Sequence, residues 1–152
     1  MREFRKWSAA LYLNLGSYLD RKLARFAINN SQYFYILKIC EVPGMSQDRV
    51  FQIIRRSPSN ITRALAQLEE KGYITRQPSE RDKRTWLLYP TEKATAAYPE
   101  ILAIVEDAVV QILTPFTEEE RALLPALLER AARSAEALNR KEQKNDENKE
   151  TL

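Results

Sequence analysis

Histidine is absent from this 152-residue sequence, and only one cysteine, Cys40, is present. Histidine is the commonest general base and metal ligand, and a structural zinc site or a Cys–His nucleophile pair needs more of these residues than the chain contains. The three glycines, at positions 16, 44 and 72, are too far apart to form a glycine-rich phosphate loop. We therefore expect no enzyme, no metal site and no cofactor.

Long apolar runs are also missing. No stretch approaches the ~20 residues that a membrane-spanning helix needs, and no apolar segment typical of an export signal follows the charged N-terminus. A lone cysteine fits a reducing compartment. With 44% hydrophobic and 30% charged residues, the composition is that of a globular protein. The sequence therefore predicts a cytoplasmic protein that forms one domain and has no membrane partner.

Positive charge is concentrated in the middle of the chain. The whole sequence carries a net charge of +3, whereas the window from Ser46 to Pro90 holds nine basic and five acidic residues. This window therefore contains more than the entire excess. A solvated charged surface would look similar, but such clustering is typical of a surface that binds a polyanion.

The same window has the pattern of a helix-turn-helix. Ser46 is a candidate N-cap for a first helix, and Ser57 followed by Pro58 predicts the start of a second. The second helix should run to Lys71, where Gly72 ends it. Its inward side is expected to carry four residues at helical spacing: Ile61, Ala64, Leu65 and Leu68.

After Gly72 the period changes from helix to strand. Residues 73–77 and 85–89 read as two strands, and the polar segment between them holds Arg81, Lys83 and Arg84. A charged hairpin directly after a recognition helix is a wing. The expected fold class is mainly α with a small β wing: a winged helix-turn-helix domain plus a helical dimerisation region formed by the N- and C-terminal helices.

Amphipathic helices flank this domain. Apolar residues recur every four positions from Trp7 to Leu23, which predicts a helix over 4–27, and the next helix should be capped by Asn29, Asn30 or Ser31. Two further helices follow Thr91, with a kink or a broken first turn expected at Pro99 and Pro125. The predicted organisation is an N-terminal dimerisation helix (1–30), a winged DNA-binding domain (31–90), C-terminal dimerisation helices (91–140) and a flexible polar tail (141–152).

The central segment resembles the MarR family of transcription regulators. The similar stretches are "MSQDRV", "SPSNITRALAQLEEKGYI" and "SERDKRTWLLYPTEKA", and the most diagnostic pieces are "LEEKGYI" and "RDKR" at this separation. The sequence departs from the family at Pro90 and Ala94, where leucine and glycine are frequent. The resemblance implies a homodimeric regulator of transcription, typically a repressor that acts on a palindromic operator and is released by a small amphipathic or phenolic ligand.

Candidate DNA-binding residues follow from the helix and wing patterns. The outer face of the recognition helix presents Ser59, Asn60, Thr62 and Arg63 to the major groove. Three basic wing residues, Arg81, Lys83 and Arg84, are expected to reach the adjacent minor groove or its phosphates. Weaker candidates for contacts with the DNA backbone are Arg49, Arg56 and Arg76. The resemblance implies that Asp82 pairs with Arg84 and positions the wing.

The partners expected from the sequence are double-stranded DNA, a second copy of the chain and a small-molecule effector. One recognition helix reads only a few base pairs, so a dimer is needed to read a palindrome, and Phe4 and Trp7 extend the apolar seams assigned to it, although packing within one chain would show similar spacing. Aromatic residues that can line an effector pocket, or else belong to the core, are Tyr12, Tyr18, Tyr33, Phe34 and Tyr35.

Two alternatives remain open at this stage. The first is a winged-helix module that binds proteins and not DNA. The second is a redox-sensing regulator that switches through Cys40, although the surrounding apolar residues favour a buried, inert thiol.

Overall fold

The computed structural model describes residues 2–54 and 57–150. Two compact units are present, the first extending to Val109 and the second beginning at Val110. In the first unit, a three-stranded antiparallel sheet packs with helices around one apolar core. No helix in the described part of the chain combines the length and the apolar character needed to cross a membrane.

Three helices form the helix-turn-helix region: α2 (Tyr33–Glu41), α3 (Gln47–Ile53) and α4 (Pro58–Glu70). The predicted cap of α3 is confirmed, because the Ser46 hydroxyl accepts a hydrogen bond of 3.1 Å from the Arg49 amide. Ser57 occupies the N-cap position of α4 and Pro58 the first turn, but the Ser57 hydroxyl lies 3.3 Å from that of Ser59 and makes no cap bond.

The C-terminus of α4 leads directly into the sheet. Gly72 has φ +75°, its amide donates to Glu69 O at 2.9 Å, and the Tyr73 amide donates to Leu68 O at 2.9 Å. This pair of bonds is a Schellman motif, which needs a left-handed residue at the position of Gly72. The inward residues Ile61, Ala64, Leu65 and Leu68 are all buried, as the helical spacing predicts.

The sheet has the order β1–β3–β2, with strands β1 (Met45–Ser46), β2 (Ile74–Pro78) and β3 (Trp86–Pro90). The two wing strands confirm the predicted hairpin, shifted by one residue along the chain. Strand β1 is not expected from the sequence. It forms because Met45 pairs with Leu88 and because the Gly44 amide donates to Leu88 O at 2.8 Å.

Helix α1 (Arg2–Leu23) is followed by a 3-10 turn (Ala24–Phe26), so the predicted end of this helix at residue 27 is four residues late. Asp20 holds the following loop, since its carboxylate accepts from the Asn30 amide at 2.7 Å and from the Asn30 side chain at 2.9 Å.

The predicted cap of α2 is wrong. Gln32 occupies the N-cap position and makes no side-chain cap bond. Asn29 instead accepts hydrogen bonds from the Ser31 amide and hydroxyl, at 2.9 and 2.7 Å. This local Asx turn competes with capping for the same side-chain oxygen.

Helices α5 (Glu92–Leu113) and α6 (Glu118–Glu150) both continue through their internal prolines, Pro99 and Pro125. The start of α6 has a capping box, because the Thr117 amide donates to the Glu120 carboxylate at 2.9 Å and the Glu120 amide donates to the Thr117 hydroxyl at 3.3 Å.

Helix α6 extends past the point where a flexible polar tail is expected. Its backbone is helical as far as Glu150, which includes residues 141–150 of that segment. No proline or glycine interrupts residues 126–150, and ion pairs four residues apart, such as that between Glu136 and Arg140, support the helix.

Candidate nucleic-acid interface

The N-terminal half of α4 presents a polar face to solvent. Ser59, Asn60, Thr62 and Arg63 are all exposed, whereas Ile61 and Leu65 on the opposite side are fully buried. The core therefore fixes the helix by one face and leaves the other free for a partner. Within the described residues, the Arg63 guanidinium has no ion-pair partner, so its five N–H donors are available for an external acceptor.

The wing loop (79–85) is held by its own hydrogen bonds. Ser79 and Thr85 close it, with the Ser79 amide donating to Thr85 O at 2.8 Å. Inside the loop, the Asp82 carboxylate accepts from the Arg84 amide and from the Thr85 hydroxyl, each at 3.0 Å. Asp82 thus contacts the backbone of Arg84, and no ion pair joins its carboxylate to the guanidinium of Arg84 among the described residues. The expected pairing of Asp82 with Arg84 is therefore a contact with the backbone amide of Arg84 and not with its side chain.

The three basic residues of the wing loop extend into solvent. Arg81, Lys83 and Arg84 are exposed, and none has an acidic partner in the part of the chain that the structure describes. The loop also holds two acids: the Asp82 carboxylate is engaged by the loop itself, and Glu80 is exposed without forming an ion pair to any of these three cations. Because no acid pairs directly with them, these three cations are available to bind an external anion, although the loop as a whole carries a net charge of only +1.

The remaining basic candidates differ in their surroundings. Arg49 is exposed, and its guanidinium donates to the Gln52 side chain at 3.1 Å. Arg76 is half-buried and its Nε donates to the Glu69 carboxylate at 2.8 Å, so this arginine ties β2 to α4 and is not free for a phosphate. Arg56 lies outside the described residues.

Gln32 helps to position α4, a role that the sequence pattern does not reveal. It is 1% exposed, and its amide nitrogen donates to the Gln67 side chain at 2.8 Å. Its oxygen accepts from the Lys71 ammonium at 3.0 Å. These bonds fasten the C-terminal half of α4 to the start of α2. A polar residue just before an apolar helix gives no signal of burial in the sequence, because glutamine is usually exposed.

The five aromatic candidates for an effector pocket do not come together as one group. Tyr33, Phe34 and Tyr35 line a cleft of about 260 Å³, together with Asn30, Ser31, Ile53 and Ile54. Tyr35 is only 2% exposed, so most of its ring belongs to the core. Tyr12 is 67% exposed on α1, and Tyr18 is half-buried with the Lys22 ammonium 5.6 Å from its ring centre; neither lines the cleft.

Cys40 does not have the surroundings of an activated thiolate. It is half-buried, and burial, with a smaller effect of the Glu41 carboxylate, raises the pKa of its thiol. A raised pKa keeps the sulfur protonated and unreactive. Among the described residues, no three potential ligands of the His, Cys, Asp and Glu types gather in a way that could hold a metal ion.

Comparison with known proteins gives a consistent result. The sequence model of the MarR family matches residues 28–86, which include α2, α3, α4 and most of the wing. YybA of Bacillus subtilis, described as an uncharacterised HTH-type transcriptional regulator, is 33% identical over 109 residues, which are 72% of this chain and 73% of the relative.

Solved structures share the fold over most of the chain. A MarR protein from Peptoclostridium difficile has a TM-score of 0.82 at 24% identity and covers 88% of both chains. A MarR family transcriptional regulator from Listeria monocytogenes, solved with a 26-mer DNA, has a TM-score of 0.78 at 26% identity, over 85% of this chain and 86% of that one. The exposed face of α4, the charged wing and the extent of this similarity lead to one conclusion: the chain belongs to the MarR family of winged helix-turn-helix transcription regulators.

Proposed function

We propose that the protein binds double-stranded DNA in the cytoplasm as a homodimer and represses transcription from a palindromic operator. The proposal is based on two exposed surfaces of the same domain. One is the polar face of α4 with its unpaired Arg63, and the other is the wing loop with its three unpaired cations. The DNA complex of the Listeria monocytogenes relative supports the same use of this fold.

In this proposal α4 lies in the major groove. Arg63 donates two hydrogen bonds to a guanine edge, Asn60 contacts adenine or a phosphate, and Ser59 and Thr62 complete the contact surface. The three basic residues of the wing loop, Arg81, Lys83 and Arg84, bind the neighbouring minor groove or its phosphates. Asp82 keeps the loop closed by its hydrogen bonds from the Arg84 amide and the Thr85 hydroxyl. Arg49 contributes to phosphate binding at the start of α3, and the same role for Arg56 remains a prediction from the sequence.

A second copy completes the site. Large apolar side chains are exposed on α1, where Trp7 is 62% exposed, and again on α6, and a monomer would leave them in water: Phe4, Trp7, Leu11, Leu123, Leu127, Leu128 and Leu138. Half-sites of a palindromic operator lie about one turn of DNA (~34–36 Å) apart, so two copies that bury these side chains against each other would have to present their recognition helices at that spacing.

Release by a small molecule is the regulatory part of the proposal. The cleft beside Tyr33 and Phe34 combines aromatic walls with the polar side chains of Asn30 and Ser31. An amphipathic or phenolic ligand fits this chemistry. It would act by binding one dimer geometry more tightly than the other, which changes the separation of the recognition helices.

The test is a titration of fluorescently labelled duplexes, with the operator first selected from a random pool, at several salt concentrations. We expect log affinity to fall with log salt at ~0.9 per contacted phosphate. Arg63→Ala should weaken the selected site by ~1–3 kcal/mol and relax base preference, whereas Arg84→Ala should weaken all duplexes alike.

Arg25→Ala is the matched control, because it removes the same charge from a guanidinium that already has Glu100 at 3.0 Å. It should leave affinity nearly unchanged. Absence of binding at low salt would contradict the proposal and favour a winged module that binds proteins. Equal, negligible losses for Arg63→Ala and Arg84→Ala would contradict the assignment of the grooves.

A further inference from the structure

Trp86 is an exposed aromatic residue at the base of the wing loop. It begins β3, directly opposite Pro78, and its side chain is 45% exposed. Tryptophan is usually well buried, and an exposed one in a polar region is typical of a binding surface. Within the described residues, its indole N–H has no hydrogen-bond partner and no cation lies over its ring.

The hairpin register shows which way this side chain is turned. Residues directly opposite each other in an antiparallel pair share a face of the sheet, and so do alternate residues along a strand. Trp86 therefore shares its face with Leu88, which is fully buried, and with Arg76, which bonds to Glu69 on α4. That face is turned towards α4, and Trp86 occupies the part of it that extends beyond the core.

The surroundings of Trp86 favour one class of partner. The preceding wing loop supplies three unpaired cations. Among residues 74–90, Trp86 is the one large hydrophobic side chain that is exposed, because Leu87 and Tyr89 are half-buried and Leu88 is buried, so the hairpin offers no wide apolar patch to a protein partner. A polyanion whose sugars are apolar can contact all three features of this surface: its sugars pack against the flat indole ring, and its phosphates accept from the indole N–H and bind the positive charges. The DNA strand between a groove occupied by α4 and a groove occupied by the wing has this chemistry.

We propose that Trp86 is a DNA-contacting residue, whose ring packs against a deoxyribose and whose indole N–H donates to a phosphate of the strand that passes between α4 and the wing. This inference rests on the proposed function. It adds a neutral contact to the positively charged wing, one that tightens binding without displacing a counterion.

The first test compares variants by affinity and by salt dependence on the selected duplex. Trp86→Ala should weaken binding about ten- to a hundredfold, the loss expected for one hydrogen bond to a charged acceptor plus packing. Trp86→Phe should lose less because it keeps a ring. Neither should change the salt slope, because tryptophan is neutral, whereas Arg84→Ala should lower it by ~0.9. A slope that falls with Trp86→Phe would mean that the wing itself is disrupted, and would overturn the proposal.

Gln77→Ala is the matched control. Gln77 is exposed and pairs with Leu87, next to the Pro78–Trp86 pair but on the opposite face of the hairpin. We expect no change in affinity. A loss equal to that of Trp86→Ala would show that any truncation of the hairpin weakens binding, and the specific role of Trp86 would be wrong.

A second test follows Trp86 directly. The chain has two tryptophans, so Trp7→Phe leaves Trp86 as the single indole. Added duplex should change its emission and protect it from acrylamide quenching, and the difference spectrum between wild type and Trp86→Phe should show the same change if Trp7→Phe fails to fold. Binding seen by labelled DNA without a change at Trp86 overturns this inference alone. No binding by the wild type overturns the proposed function as well.

Discussion

Replacement of Gln32 by methionine tests whether the buried amide holds the recognition helix. Methionine keeps the volume and removes both hydrogen bonds, the neutral one to Gln67 and the charge-assisted one from Lys71. Bonds of these two kinds contribute about 1 and about 1.5–3 kcal/mol. Gln67 is exposed and Lys71 is half-buried, so in the variant both side chains can form hydrogen bonds to water instead. The net loss of unfolding free energy should therefore be about 1–2 kcal/mol. For a chain of this size that lowers Tm by about 3–6 °C.

The assay is thermal or urea unfolding at one fixed protein concentration, since the proposed dimerisation would make stability concentration-dependent. Gln67→Ala is the informative partner, because it leaves the buried amide of Gln32 without its acceptor and should cost at least as much. In the double variant, the second substitution should cost little further stability. The loss should then be smaller than the sum of the two single losses by about 0.5–1 kcal/mol or more. Additive losses, or a Gln32→Met protein as stable as wild type, would refute the reasoning.

Two further predictions concern Gly44 and Cys40. Gly44→Ala should cost about 1–2 kcal/mol of unfolding free energy, because φ is +80° and a Cβ would lie 3.2 Å from the Tyr89 hydroxyl; unchanged urea unfolding would contradict this. Because burial raises the pKa of the Cys40 thiol, alkylation by iodoacetamide should be slower in the folded protein than in urea and should accelerate as pH rises. Unfolding then releases the thiol proton above the usual thiol pKa, so stability should fall as pH rises there. Equal alkylation rates would contradict the shielding.

Local signals in the sequence predict the DNA-binding segment well. The Ser46 cap, Pro58 at the start of α4 and Gly72 after its end each act within a few residues of where they stand. The inward residues of α4 follow from spacing alone. These features depend on chain-local sterics and hydrogen bonding, which is why a single sequence contains them.

Contacts between distant residues could not be predicted in the same way. Strand β1 has only two residues and exists because Leu88, more than forty positions later, pairs with it. The engagement of Arg76 by Glu69 depends on how β2 folds back along α4. The burial of Gln32 and the exposure of Trp86 oppose the usual preferences of both residue types, and each is decided by neighbours that the local pattern does not identify.

The single left-handed residue between α4 and β2 has a mechanical consequence. Strand β2 begins only two residues after Gly72, and the Arg76–Glu69 contact braces the same junction. We therefore expect α4 and the hairpin to move together and to approach or leave a duplex as one block. In the proposed dimer, a ligand that releases the protein from DNA would then act by shifting this whole block relative to the same block of the other copy.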